Sequence, residues 1–279
     1  MNNSGEMKQR IVEKQWAALP QKRSEVHTAA PILEPGKWQQ FDPFLLWMED
    51  WFGQGAFGEH PHRGIETVSY VIEGAIEHYD DKGHEGRLEA GDVQWMTAGR
   101  GVVHNEIPPK GVTTHLLQLW VNLPAANKMA EPRNQLLKRE EIPVRREDGV
   151  QIHVISGESG GVKASTLNYA PVTMLEINLD GGASFTQQFA EDHNAFIYIL
   201  EGRGEFGLDG SVGEKGQLLA LSQETEASEI QIQALEEPMK LLLIAGKPLR
   251  EPIAAHGPFV MNTPEQIVQA YEDFQSGKF

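Results

Sequence analysis

The chain has 279 residues, with 24 Lys+Arg against 40 Asp+Glu, a formal charge of −16 and no cysteine. That length suits one large domain or two ordinary ones, and the acidic balance argues against a nucleic-acid surface, because phosphate binding rests on Lys/Arg neutralisation. Without Cys there are no disulfides, thiolate nucleophiles, Cys-ligated zinc or iron–sulfur clusters, so a metal would need His and carboxylates.

Residues 1–10 hold no apolar h-region, and no uncharged apolar run approaches the roughly 20 residues of a membrane span. The chain therefore reads as a soluble, non-secreted, cytoplasmic protein with no membrane contact. Short apolar runs bounded by Gly, Pro, Asn or Asp predict strands over 44–47, 66–72, 75–79, 93–96, 116–123, 152–155, 174–179, 195–200 and 241–244. An all-β sandwich or barrel follows. The run Thr67-Val-Ser-Tyr-Val-Ile-Glu-Gly74 is echoed by Ala195-Phe-Ile-Tyr-Ile-Leu-Glu-Gly202. Gly91-Asp-Val-Gln-Trp-Met96 is echoed by Gly216-Gln-Leu-Leu-Ala-Leu221, and Leu117-Gln-Leu-Trp-Val-Asn-Leu-Pro124 by the run from Leu241 to Pro248. Three echoes in the same order imply a duplicated β-domain, divided here as 1–140 and 141–279, with a short helix expected around 134–140 in the polar stretch between them. At the C-terminal end, Thr263 is the expected N-cap, Pro264 the first helical residue and Gln266 the capping-box partner. Ile267, Val268, Tyr271 and Phe274 would form the apolar stripe of this closing helix.

Six of the ten His (His60, His62, His78, His84, His104 and His115) fall within 56 residues. His60-Pro-His62 and His104-Asn-Glu106 each place two donors at i and i+2, hence on one side of a strand. If the two strands meet across a barrel, three imidazoles and a carboxylate converge on one divalent metal; iron(II), manganese, nickel, copper and zinc all suit that donor set. Four protein ligands on an octahedral ion leave two positions open, which is a catalytic arrangement. His27, His84, His153 and His256 are read as ordinary surface or core residues. His78 and His115 are read the same way, with His115 the weaker candidate for a role behind the ligands.

The string from Gly58 to Gly74, followed by Gly91–Glu106 and Leu117–Pro124, resembles the pirin family over nearly the whole chain. The resemblance implies a bicupin: two jelly-roll β-barrels face to face, with a short C-terminal helix and one metal, usually iron, in the first barrel. It implies His60, His62, His104 and Glu106 as ligands. Many other cupins use a Glu a few residues after the His pair, the place of Glu66 here, to which a supporting role is given instead. In the second barrel Gln188 and Ala190 fall where His60 and His62 stand, and Glu229 and Gln231 near His104 and Glu106, so no ligand set is expected there.

Pirins of this kind are described as quercetin 2,3-dioxygenases, which implies a small aromatic substrate, dioxygen, and Glu106 as both ligand and base. An apolar slot for the flavonol would draw on Trp51, Phe57, Trp95, Gln118 and Trp120, each with an ordinary core role as the competing reading. Arg63 and Arg100 flank the ligand pairs and would hold an anionic substrate or pair with carboxylates. The alternative function is a non-catalytic, metal-binding regulator acting through protein partners, for which the acidic surface is suited. Two barrels in one chain also lead to the expectation of a monomer.

Overall fold

The computed structural model describes residues 7–279. The first six, part of the segment read for a leader, lie outside the described residues. Each predicted run lies within or largely within an observed strand, including Phe44–Phe52, Ile65–Glu73, Thr114–Asn122, Asn194–Glu201 and Met239–Gly246. Among the described residues no helix is long and apolar enough to cross a membrane.

The chain forms two compact β units. One comprises residues 19–141, 168–170 and 249–279. Its larger sheet runs in spatial order Arg133–Leu137, Val93–Thr97, Ile65–Glu73, Thr114–Asn122, Phe44–Phe52, His27–Leu33 and Gln21–Ser24. Its smaller sheet runs His60–His62, Val102–Ile107, Ala75–Asp80 and Glu85–Glu89. Phe52, Val71 and Leu116 from the first sheet pack against Ile76 and Leu88 from the second, which makes this a two-layer jelly roll with its core between the sheets.

The other unit comprises residues up to 18, 142–167 and 171–248. Its large sheet centres on Val172–Leu179, Met239–Gly246 and Asn194–Glu201, and Ile177, Ile197 and Leu241 pack with Phe206, Ile230 and Ile232 of the facing sheet. The internal echoes are structural: Ile65–Glu73 is flanked by Val93–Thr97 and Thr114–Asn122, just as Asn194–Glu201 is flanked by Gln217–Leu221 and Met239–Gly246. The echoed glycines share a left-handed backbone, with φ +83° at Gly74 and +77° at Gly202, a region only glycine enters without strain.

Three expectations need correcting. The division at 140/141 fails at both ends, because Val12–Ala17 pairs with Gln217–Leu221 in the second unit, while the hairpin Ala254–His256/Phe259–Met261 and the final helix belong to the first. The helix expected around 134–140 is instead the strand Arg133–Leu137, paired residue for residue with Val93–Thr97. A ladder of backbone bonds and the Gln94–Asn134 amide contact at 2.9 Å override local propensity there. The final helix, Pro264–Gln275, carries the expected Thr263/Gln266 capping box, but its buried face is Ile267 and Ala270 against Phe259 and Met261, and Val268 is 58% exposed.

Candidate metal centre

The site is assembled by one antiparallel ladder. His60–His62 pairs with Val102–Ile107, so that His60 stands directly opposite His104 and Val102 opposite His62. On its other edge Val102–Ile107 pairs with Ala75–Asp80, setting Asp80 opposite His104 and His78 opposite Glu106. Side-chain alternation then turns His60, His62, His104 and Glu106 to the same side of the sheet. The three imidazole centroids lie 4.9, 4.5 and 5.1 Å apart, and one ligand atom from each lies within 4.8 Å of the other two. Among the described residues, this is the one group of three His, Asp or Glu side chains gathered so closely.

The hydrogen bonding of this cluster fits a metal. The Gly58 carbonyl accepts from His60 Nδ1 at 2.9 Å, which leaves Nε2 with its lone pair. A backbone carbonyl at Pro258 holds one ring nitrogen of His62, while His62 Nδ1 and both nitrogens of His104 are buried without a partner. Such orphaned buried atoms are costly unless a group outside the chain satisfies them. Burial, reinforced by the neighbouring imidazole of His60, pushes His62 down to about 3. Burial and the nearby imidazoles of His62, His60 and His78 hold His104 well below its ordinary value. Both rings are therefore neutral at physiological pH, the form that ligates a cation.

Glu106 lines the same cavity but is not among the three residues whose donor atoms meet. Its Oε1 accepts from Ser69 Oγ at 2.6 Å and its Oε2 from Gln118 Nε2 at 3.0 Å. Glu66 lies on the opposite face of its strand from Ser69, with Thr97 Oγ1 donating to it at 2.7 Å and the Arg133 guanidinium 4.0 Å away. It is fully buried and is not among the residues whose donor atoms meet at the imidazole cluster. His78, read from sequence as ordinary, is buried with its ring 5.3 Å from His104.

A cavity of about 440 Å³ opens on the cluster. Leu46, Met48, Phe52, Phe57, Leu116 and Trp120 give it apolar walls; His60, His62, Glu106 and Gln118 line one part, and Arg23, His27 and Asp50 another. Of the expected slot residues, Phe57, Gln118 and Trp120 line the cavity, and Trp120 meets His62 edge to face at 5.0 Å. Trp51 does not line it: strand alternation turns it outward, where it stacks on His115 at 4.6 Å. His115 in turn bonds Glu49 at 2.8 Å, away from the ligands. Trp95 is fully buried on the Glu66 side of the sheet. Arg63 and Arg100 are structural: Arg63 Nη1 pairs with Asp273 at 2.9 Å and Arg100 Nε with Glu131 at 3.0 Å. In the second unit Gln188 stands opposite Glu229, the counterpart of the His60–His104 pair, and among the described residues no group of three His, Asp or Glu donors gathers there. The sequence reading missed Arg23, His27, Asp50 and Ser69; their signal was same-face spacing with Met48 and Gln118, visible only once the strands were paired.

Comparison with known proteins accords with this architecture. The Pirin family model matches residues 26–121, and the model of the pirin C-terminal cupin domain matches residues 174–279. Human Pirin is 45% identical over 244 residues, 86% of this chain and 83% of its own. A pirin-like protein of Solanum lycopersicum is 40% identical over 270 residues, 96% of this chain and 92% of its own. Among solved structures, GK1651 from Geobacillus kaustophilus superposes with a TM-score of 0.87 at 50% identity, covering 88% of this chain and 100% of that one. A quercetin 2,3-dioxygenase from Acinetobacter baumannii does so with a TM-score of 0.87 at 32% identity, covering 97% and 98%. With both halves matched and relatives at these identities over most of their length, the chain belongs to the pirin family, built as two cupin domains.

Proposed function

We propose that this protein is a metal-dependent dioxygenase of pirin type that opens the ring of a flavonol such as quercetin. The observation that carries the reading is the cluster of three imidazoles, with buried ring nitrogens of His62 and His104 left without a partner, at the wall of an apolar cavity large enough for a drug-sized aromatic molecule. The 32% identity to a quercetin 2,3-dioxygenase over nearly the full length supports the substrate class. His60 through Nε2, His62 through Nδ1 and His104 hold the ion in this reading, and Glu106 completes the set. Iron(II) is the assigned metal, with manganese, nickel, copper or zinc as the other fits to nitrogen and carboxylate donors. When bound, the ion supplies Lewis acidity toward a substrate oxygen.

The residues around it have separable tasks. Glu106, held from both sides by Ser69 and Gln118, accepts the proton of the flavonol hydroxyl as it enters. Trp120 and Leu46 wall the region beside His62 and keep it apolar, which strengthens every electrostatic contact there. Met48, Phe52 and Phe57 give the flat ring system a surface to lie against.

Oxygen uptake with quercetin tests the proposal, using anaerobically purified wild type and Glu106→Ala, each reconstituted with iron(II), manganese, nickel or copper. Uptake that requires both the metal and Glu106 is the expected result and identifies the working ion. A bound metal with no uptake by any reconstituted form refutes it and moves the function to a different oxygenase substrate or to metal-dependent binding of a protein partner.

A further inference from the structure

The cavity has a polar group that the chemistry above leaves unused. His27 Nε2 and Asp50 Oδ1 lie 2.7 Å apart, and both residues line the cavity. Strand pairing places them: His27 stands opposite Phe52 and Ala29 opposite Asp50, so His27, Ala29, Asp50 and Phe52 share one face of the sheet with Met48. On the adjoining strand Leu116 stands opposite Asp50 and Gln118 opposite Met48. The row of Asp50 is therefore one side-chain repeat, about 7 Å along the strands, from the row of Gln118, the residue that holds Glu106. His27 is one repeat further still.

Burial pushes the Asp50 carboxyl up and the bond to His27 pulls it back down; as a carboxylate it can only accept, so it fixes the proton of His27 on Nε2 and leaves the lone pair on Nδ1. Among the described residues Nδ1 has no hydrogen-bond partner. Phe57 and Phe52 meet the imidazole edge to face, with centroids 4.8 and 6.4 Å away, and lock its plane. A half-buried acceptor held in one tautomer, between aromatic walls and away from the metal cluster, selects a hydroxyl donor on a flat ring. Arg23, which also lines this end of the cavity, adds a cation toward the oxygen of such a hydroxyl.

We propose that His27, oriented by Asp50, is a second anchor of the cavity: its Nδ1 accepts a hydrogen bond from a phenolic hydroxyl on the part of the ligand remote from the three imidazoles. This rests on the reading of the cavity as a flavonol site and adds to it a specificity determinant, a preference for polyhydroxylated over singly hydroxylated ring systems.

The test compares quercetin with 3-hydroxyflavone, which keeps the metal-facing hydroxyl and lacks the remote ones. Dissociation constants are measured anaerobically on the metal-reconstituted protein by quenching of tryptophan fluorescence, so that binding is read without turnover. Wild type is expected to prefer quercetin by about 3- to 10-fold, the range for one hydrogen bond between uncharged groups. His27→Phe, which keeps the ring volume and removes Nδ1, brings the ratio close to 1, and Asp50→Asn, which releases the tautomer, lowers it. A wild-type ratio of 1, or a ratio unchanged in both variants, overturns the anchor while leaving the flavonol reading intact. Failure of wild type to bind either flavonol overturns that reading and the anchor with it.

Discussion

His60 faces His104 across the antiparallel ladder, their ring centroids 4.5 Å apart, and neither ring hydrogen-bonds the other. Two imidazoles at that distance bring ring nitrogens toward the same point, and both nitrogens of His104 are buried there without a partner. Removing one of them should abolish metal retention, whereas Glu66, the carboxylate that other cupins would use, should be dispensable. We expect His104→Ala to lower metal affinity by more than about 100-fold and Glu66→Gln to leave it unchanged. Metal content after dialysis, measured by mass spectrometry, checks both; loss of metal in Glu66→Gln would reassign the carboxylate ligand.

Ser69 acts on the site through Glu106. Its hydroxyl donates to Oε1 at 2.6 Å, with Gln118 Oε1 3.0 Å away and Gln118 Nε2 on the other carboxylate oxygen, so two side chains from two neighbouring strands fix one carboxylate. Ser69→Ala removes one of the two bonds holding Glu106 without altering any imidazole. The expected loss is about 10-fold in metal affinity, the usual cost of deleting a partner of a ligand. Calorimetric titration with the metal on wild type and variant gives the number, and a variant that binds as tightly as wild type would place Glu106 outside the ligand set.

How much of this site sequence could convey follows from periodicity. His60 with His62, and His104 with Glu106, are legible because a strand returns to the same face every second residue. The capping box of Thr263 and Gln266 is equally local, and it is present. Cross-strand register has no such signature: nothing within the chain between 27 and 50 says that His27 will meet Asp50, or that Trp51 will turn outward to His115. The same limit explains the helix expected around 134–140, where the pairing of Asn134 with Met96 and Leu136 with Gln94 decides the outcome. Aromatics near a ligand in sequence alternate between cavity and core, so Trp120 lines the cavity while Trp95 does not.

Lys128 ties together the segments behind His62. Burial pushes this amine down to about 7, and its Nζ donates to the carbonyls of Gly64 and Val260, each at 2.8 Å, and to Asn122 Oδ1 at 2.5 Å. Val260 N donates in turn to the Arg63 carbonyl at 3.1 Å, and Pro258, two residues earlier, holds His62. Lys128→Met fills the space but leaves three acceptors without a donor, at about 1–3 kcal/mol for each buried group. We expect a total destabilisation of at least about 3 kcal/mol in urea denaturation, together with weaker metal binding because the Pro258 segment loosens. Gly64→Ala attacks the same junction sterically: φ is +80° there and a Cβ would lie 2.0 Å from the Val260 carbonyl oxygen. A variant at Lys128 that melts like wild type would show that the hairpin is held by its apolar face alone.

Two buried carboxylates of the first unit should give opposite dependences of stability on pH. Burial raises Glu66, against the pull of the Thr97 hydroxyl, the Trp95 indole and the Arg133 guanidinium. The folded chain then binds more protons than the unfolded one from about pH 4.3 up to the raised value, so across that window this residue's contribution to stability falls as pH rises. Asp92 is different: burial pushes its carboxyl up, but Lys138 Nζ at 2.7 Å and the backbone N–H groups of Glu89 and Arg139, each at 2.9 Å, hold it below the ordinary value. Its contribution is present above about pH 3.9 and is lost as pH falls through the lowered folded value. Urea midpoints measured from pH 3 to pH 8 should therefore show Glu66→Gln gaining on wild type as pH rises, and Asp92→Asn losing on wild type over the acid limb. Parallel curves for Glu66→Gln and wild type would mean that Thr97 and Arg133 fully offset the burial of Glu66, and its place on the far face of the larger sheet would then carry no electrostatic cost.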